Sequence, residues 1–123
     1  MPDSLGSWYV RPVFFVSDCE HALRFYGDLG FREAWRHEED NVLVAIQMDR
    51  NGTELILNLN SDRAGGGRLF VSLSRGEVAR CVESFVAAGI DVRDEHWGMP
   101  VKAVRDDDGN DLLFFDDELN EQG

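Results

Sequence analysis

The segment RDDDGNDLLFFDDE, residues 105–118, gathers seven carboxylates around one glycine. Clustered carboxylates are the usual ligands of hard cations such as calcium. A calcium-binding EF-hand loop needs acid or amide side chains at its first, third and fifth positions, glycine at the sixth and glutamate at the twelfth. With Gly109 at the sixth position, the first is Val104 and the twelfth is Phe115, so the pattern fails. A turn between strands accounts for the same residues. Asp108-Gly109 is a favoured hairpin dipeptide, because glycine reaches positive φ at little cost. PVKAV before it and DLLFF after it read as antiparallel strands. The carboxylates are then expected at a solvated tip, where charge discourages edge pairing.

Other residues with chemical potential are scattered. His21, His37 and His96 show no His-x-His or His-x-x-x-His spacing. His21 falls in a first helical turn, and His37 and His96 are expected in or near loops. Glu38, Glu39 and Asp40 beside His37 read as a solvated turn. Cys19 and Cys81 are too few for a disulfide framework. Both fall at or within helical patterns and read as small buried hydrophobes. No Ser, Cys or Thr sits in an activation motif for a nucleophile.

The 123 residues are expected to form a single domain over 1–123. Apolar residues make up 43% and charged residues 29%, as in soluble globular proteins. No apolar run approaches the roughly 20 residues that span a bilayer. The start, MPDSLGSWYV, shows no signal-peptide pattern, so a cytoplasmic location and no membrane partner are expected. The net charge of −12 repels phosphate backbones and argues against nucleic acid.

The elements that must position these residues come in two similar halves. VFFVSDCE (13–20) matches FVSLSRGE (70–77), and NGTELILNL (51–59) matches DGNDLLFFD (108–116), each at an offset of 57. Ser17 with Glu20, and Ser74 with Glu77, read as capping boxes. Helical spacing follows each: Ala22, Phe25, Tyr26 and Leu29 before Gly30, then Val78, Cys81, Val82, Phe85 and Val86 before Gly89. FREAWRHE and IDVRDEHW are strand candidates, as are VLVAIQM and MPVKAVR. Each half thus reads βαβββ, over about 9–60 and 66–118. SDRAGGG (61–67) reads as a flexible glycine-rich linker, and the tail DELNEQG as polar and frayed.

Alternation assigns the strand faces. Phe14, Val16, Leu55 and Leu57 face the first helix; Leu69, Val71, Leu73, Leu112 and Phe114 face the second. Arg11, Val13, Phe15, Glu54, Ile56 and Asn58 face away, as do Arg68, Phe70, Ser72, Asp111, Leu113 and Phe115. That second face is too apolar to be left in water, so it lines a cavity or an interface.

VFFVSDCEHALRFYGDLGF and WGMPVKAVRDDDGNDLLFF resemble the opening and closing motifs of the vicinal-oxygen-chelate superfamily. It includes glyoxalase I, extradiol dioxygenases and bleomycin-resistance proteins. The resemblance spans about residues 9–118, with Asp107 where proline is usual. It implies an α+β fold of two βαβββ modules whose curled sheets surround a cavity, in a homodimer that often completes the cavities. Enzymes of that family hold a divalent metal at four strand positions, which map here to Arg11, Ile56, Arg68 and Leu113. None is a usual ligand, since arginine keeps its proton and isoleucine and leucine have no donor atom. No metal and no other cofactor is expected.

What remains on the expected cavity wall is aromatic: Trp35 and Trp97, which lie in the corresponding region of each half, near its mouth if the family layout holds, with Phe15, Phe70 and Phe115. Glu54 and Asp111 are placed to meet a cationic ligand. Arg11 and Arg68 either hold an anionic group or bridge to those acids, and Asn58 and Leu113 complete the wall. The reading closest to the resemblance is a metal-independent binder like the bleomycin-resistance proteins, sequestering an amphipathic or cationic small molecule and leaning away from catalysis. The alternatives are a glyoxalase-like lyase, isomerase or dioxygenase with a displaced metal site, and an accessory domain whose outer face meets another protein.

Overall fold

Each helix presents apolar residues three and four apart, so each must bury one stripe against a sheet. The computed structural model describes residues 6–117, so most of the expected polar tail lies outside the described residues. In chain order it contains β1 (Val13–Val16), α1 (Cys19–Asp28), β2 (Arg32–Glu39), β3 (Val42–Arg50), β4 (Thr53–Leu59), β5 (Arg68–Leu73), α2 (Glu77–Ala87), β6 (Arg93–His96), β7 (Pro100–Arg105) and β8 (Asp111–Asp116). Two four-stranded mixed sheets form, ordered β1-β4-β3-β2 and β5-β8-β7-β6. In each, the first strand lies parallel to the last and the other pairs are antiparallel. This is the α+β arrangement of paired βαβββ units.

The helix-side residues of both units merge into one core. Phe14, Val16, Tyr26, Leu55 and Leu57 from the first join Phe85, Val104, Leu112 and Phe114 from the second. Alternation therefore located the inner faces correctly. The outer faces remain exposed. Val13, Trp35, Phe70 and Trp97 keep 38–47% of their surface. Leu113 is buried in a small separate cluster with Val101 and Ala103.

The acidic hairpin is not a solvated tip. Asp106 and Asn110 are buried, and the turn docks on the start of α1. Tyr26 Oη donates to Asp106 at 2.8 Å, Ser17 N donates to Asp108 at 3.0 Å, and His21 bonds to Asp107. The helix starts also differ from the expected capping boxes. Asp18, not Ser17, caps α1 by accepting from His21 N, and the backbone N–H of Ser17 donates to Asp108. Gly76 caps α2 with φ of 85°, and the side chain of Asp116 on β8 accepts from Val78 N at 3.1 Å.

The connection is not slack either. Ser61–Arg63 forms a 3-10 turn. A Cβ on Gly65 would lie 2.1 Å from the Asp108 carbonyl oxygen, and one on Gly67 2.5 Å from the Phe14 ring. These glycines are present because the two units approach closely there, and only a residue without a side chain leaves the room. Among the described residues, no helix is long and apolar enough to cross a membrane.

Candidate functional site

Two polar-aromatic clusters form, one on each outer face. On the first face Gln47 of β3 is the hub. Its Oε1 accepts from Arg11 Nη1 and from Trp35 Nε1, both at 2.8 Å. Its Nε2 donates to Asp49 at 2.8 Å and to Glu54 at 2.9 Å. All four positions of the amide are thus used, which fixes the Trp35 ring and both carboxylates. Tyr9 donates to Glu54, and Arg11 stacks on the Tyr9 ring at 5.1 Å. Arg63, from the connection, covers the ring of Phe15 at 5.0 Å. Asn58 turns its amide toward the Val44 carbonyl at 3.4 Å.

On the second face Asp111 is the hub. Arg105 binds it through two N–H groups, at 2.7 and 3.0 Å. Arg93 stands 3.6 Å away and Arg68 3.9 Å. The Arg105 hydrogen bonds, then the charges of Arg105, Arg93 and Arg68, hold the Asp111 carboxyl below its ordinary value against the opposing effect of burial. Glu95 is likewise lowered, chiefly by its hydrogen bond from Arg93 at 2.8 Å. Arg68 stacks on Trp97 at 4.8 Å, and Phe70 packs between Trp97 and Phe115 at centroid distances of 5.6 and 6.0 Å.

Arg11, Phe15, Trp35, Glu54 and Asn58 therefore sit on the first face, and Arg68, Phe70, Trp97, Asp111, Leu113 and Phe115 on the second. Asp111 is surrounded by three guanidinium groups, whereas Glu54 and Asp49 on the first face accept from the neutral groups of Tyr9 and Gln47. Trp35 and Trp97 do not share a strand position. Trp35 pairs with Gln47, which pairs with Ile56; the matching row in the second sheet is Arg93, Ala103 and Leu113. Gln47, Asp49, Arg93 and Arg105 were missed as site residues. A lone amide inside the apolar run VLVAIQM was the available signal for Gln47.

His37 lies within β2, two residues from its end, and His96 is the last residue of β6. His37 bonds to Glu39 at 3.1 Å. Both cysteines are buried. Burial, then Asp18 and Glu20, push the Cys19 thiol up to about 11, so it stays protonated and unreactive.

The four positions that the resemblance assigns to metal ligands do not fit a divalent cation. Arg11 and Arg68 carry fixed positive charge, and Ile56 and Leu113 offer no lone pair. Among the described residues, no three of His, Cys, Asp and Glu gather as a ligand set. No chemical step through a metal follows from these side chains.

A family model described as Glyoxalase/Bleomycin resistance protein/Dioxygenase superfamily matches residues 8–114. The chain belongs to that superfamily. No curated protein matches it. Among solved structures it is similar to a bleomycin-binding protein complexed with bleomycin, at 19% identity and a TM-score of 0.72, covering 91% of this chain and 100% of that one. A lactoylglutathione lyase from Agrobacterium tumefaciens gives 20% identity, a TM-score of 0.69 and coverage of 97% and 98%. TioX from Micromonospora sp. ML1 gives 21%, 0.68, and coverage of 87% and 97%. At these identities the likeness concerns the fold, which hosts both binding and catalysis.

Proposed function

We propose that the protein binds an amphipathic small molecule without transforming it, in a cavity formed when the first outer face of one copy meets the second outer face of another. The observation that carries this reading is the replacement of metal-ligand chemistry by ordered rings. Arg11, Ile56, Arg68 and Leu113 stand where a metal would be held. Trp35 is fixed by Gln47 on one face, and Trp97, Phe70 and Phe115 pack together on the other. Rings with a few oriented polar groups suit a flat ligand.

The polar groups of the two faces differ. The first carries Asp49 and Glu54 with Arg11 and Arg63, joined through Gln47. The second carries Arg68, Arg93 and Arg105 against Glu95 and Asp111. Glu54 and Asp49 supply the anchor for a cationic group, and the bleomycin-binding protein is a precedent for ligand binding on this fold.

The test begins with elemental analysis of protein supplied with zinc, nickel, manganese and iron(II) and then desalted. About one metal per chain would overturn the reading and favour a lyase, isomerase or dioxygenase with ligands elsewhere. Light scattering then gives the mass in solution, with a dimer expected. Tryptophan-fluorescence titration with cationic aromatic drugs is expected to show saturable quenching. Failure of the whole panel, or a monomer at micromolar concentration, counts against it.

A further inference from the structure

A second hollow lies on the inner side, away from both outer faces. It forms where Phe31 and the β3–β4 turn of the first unit meet β5, α2 and β8 of the second, and encloses about 400 Å³. That is within the range of small-molecule sites. Phe31, Val71, Phe85 and Phe114 provide apolar wall, and Arg50 and Thr53 stand on the polar side.

Arg50 decides the ligand class. Its guanidinium donates to the Leu29 carbonyl and, at 3.8 Å, to the Cys81 sulfur, a weak acceptor. That leaves three of its five N–H donors unassigned. Among the described residues no carboxylate pairs with it, and the acid lining the same hollow, Glu77, is held by Arg80 at 2.7 Å. In a chain of net charge −12 this is a guanidinium kept apart from its natural partners. Gly30 makes the placement possible: a Cβ there would lie 2.7 Å from Arg50 Nη1.

We propose that this hollow binds a small carboxylate with an apolar tail. Arg50 holds the carboxylate through paired N–H groups, and Phe31, Phe85 and Phe114 receive the tail. Cys81 lines the hollow and is 8% exposed, so it reports occupancy. The site is independent of the outer faces.

The test uses decanoate on the full chain, with decylammonium and decanol as controls. Calorimetry is expected to show one decanoate per chain. Alkylation of Cys81 by N-ethylmaleimide, followed by peptide mass spectrometry, is expected to slow at least fivefold with decanoate and not with the controls. Arg50→Gln is expected to weaken decanoate at least tenfold, and Arg50→Lys to retain part of the binding. If Arg50→Gln does not fold, the protection experiment on the unmodified protein decides alone. Equal protection by decylammonium, absence of decanoate binding, or binding lost in Arg68→Gln but kept in Arg50→Gln would overturn the proposal.

Discussion

Tyr26 of the first helix donates its hydroxyl to Asp106 of the last hairpin, 80 residues further along the chain. Asp106 also accepts from Asp108 N, Asn110 N and Asn110 Nδ2, each at 2.9 Å. Burial and the adjacent carboxylate push the Tyr26 phenol far up, so it remains a donor. Tyr26→Phe removes one of four donors to a charged group and is expected to cost about 1.5–3 kcal/mol. Asp106→Ala strands all four donors and is expected to cost more. Urea unfolding measures both, and a Tyr26→Phe cost under about 0.5 kcal/mol, the scatter of neutral surface changes, would show that the Tyr26–Asp106 hydrogen bond does not hold the hairpin on α1.

Glycine substitutions separate close approach from mere turn geometry. Gly109 has φ of +93°, with nothing within 4 Å of a built Cβ. Gly109→Ala therefore meets only the left-handed penalty, roughly 1–2 kcal/mol. Gly65 has nearly the same φ, +92°, but its Cβ would strike the Asp108 carbonyl oxygen. Gly65→Ala is expected to cost clearly more and to loosen the hairpin from α1. Thermal melts of the two variants side by side provide the measurement, and equal shifts would mean that contact across the units is not what the linker glycines serve.

Local pattern and long-range docking explain what was legible. Period-two alternation and helical spacing are properties of the chain itself, so the sequence alone assigns Phe14, Val16, Leu55, Leu57, Leu112 and Phe114 to the inner face. The repeat offset supplied the βαβββ order in the same way. Asp106, Asp108, Gly65 and Gly67 could not be read, because their environment arises only when one unit docks on the other. The strand position of Trp35 could not be read from the repeat offset, because β2 shifts register between Glu33 and Trp35 and a bulge displaces every residue beyond it. Arg93 and Arg105 carry no local signal, because they gather around Asp111 only when β6, β7 and β8 pair.

The arginine cluster on the second face gives a direction for acid sensitivity. Asp111 and Glu95 are both held below their ordinary values of 3.8 and 4.5. A carboxyl lowered in the folded state binds fewer protons than in the unfolded chain at those pH values, so stability rises with pH there. The contribution is complete above the unfolded values and is lost as pH falls through the lower folded ones. Stability is therefore expected to decline below about pH 4.5, and Asp111→Asn to flatten part of that decline while lowering stability at neutral pH. Denaturation midpoints from pH 2.5 to 7 provide the comparison; an unchanged slope in Asp111→Asn would show that Asp111 does not contribute.

Gln47 is the residue on which the first face most depends. Its amide joins Arg11, Trp35, Asp49 and Glu54, so its removal releases a ring and brings two like charges closer to independence. Gln47→Ala is expected to red-shift and broaden the Trp35 contribution to fluorescence, with Trp97 unaffected because it sits on the other sheet. Gln47 is buried and three of its four partners are charged, so the loss is expected to cost about 2 kcal/mol or more of stability. Binding of a cationic aromatic ligand is expected to weaken about tenfold or more, because Trp35 and Glu54 are no longer pre-oriented and their ordering cost shifts to the binding step. Gln47→Glu is the sharper probe. It keeps an acceptor for Arg11 and Trp35 but turns a donor to Asp49 and Glu54 into a third carboxylate, so it should preserve the Trp35 spectrum while disturbing the acids. If Gln47→Ala left both spectrum and affinity unchanged, the ordered first face would not be the ligand's platform.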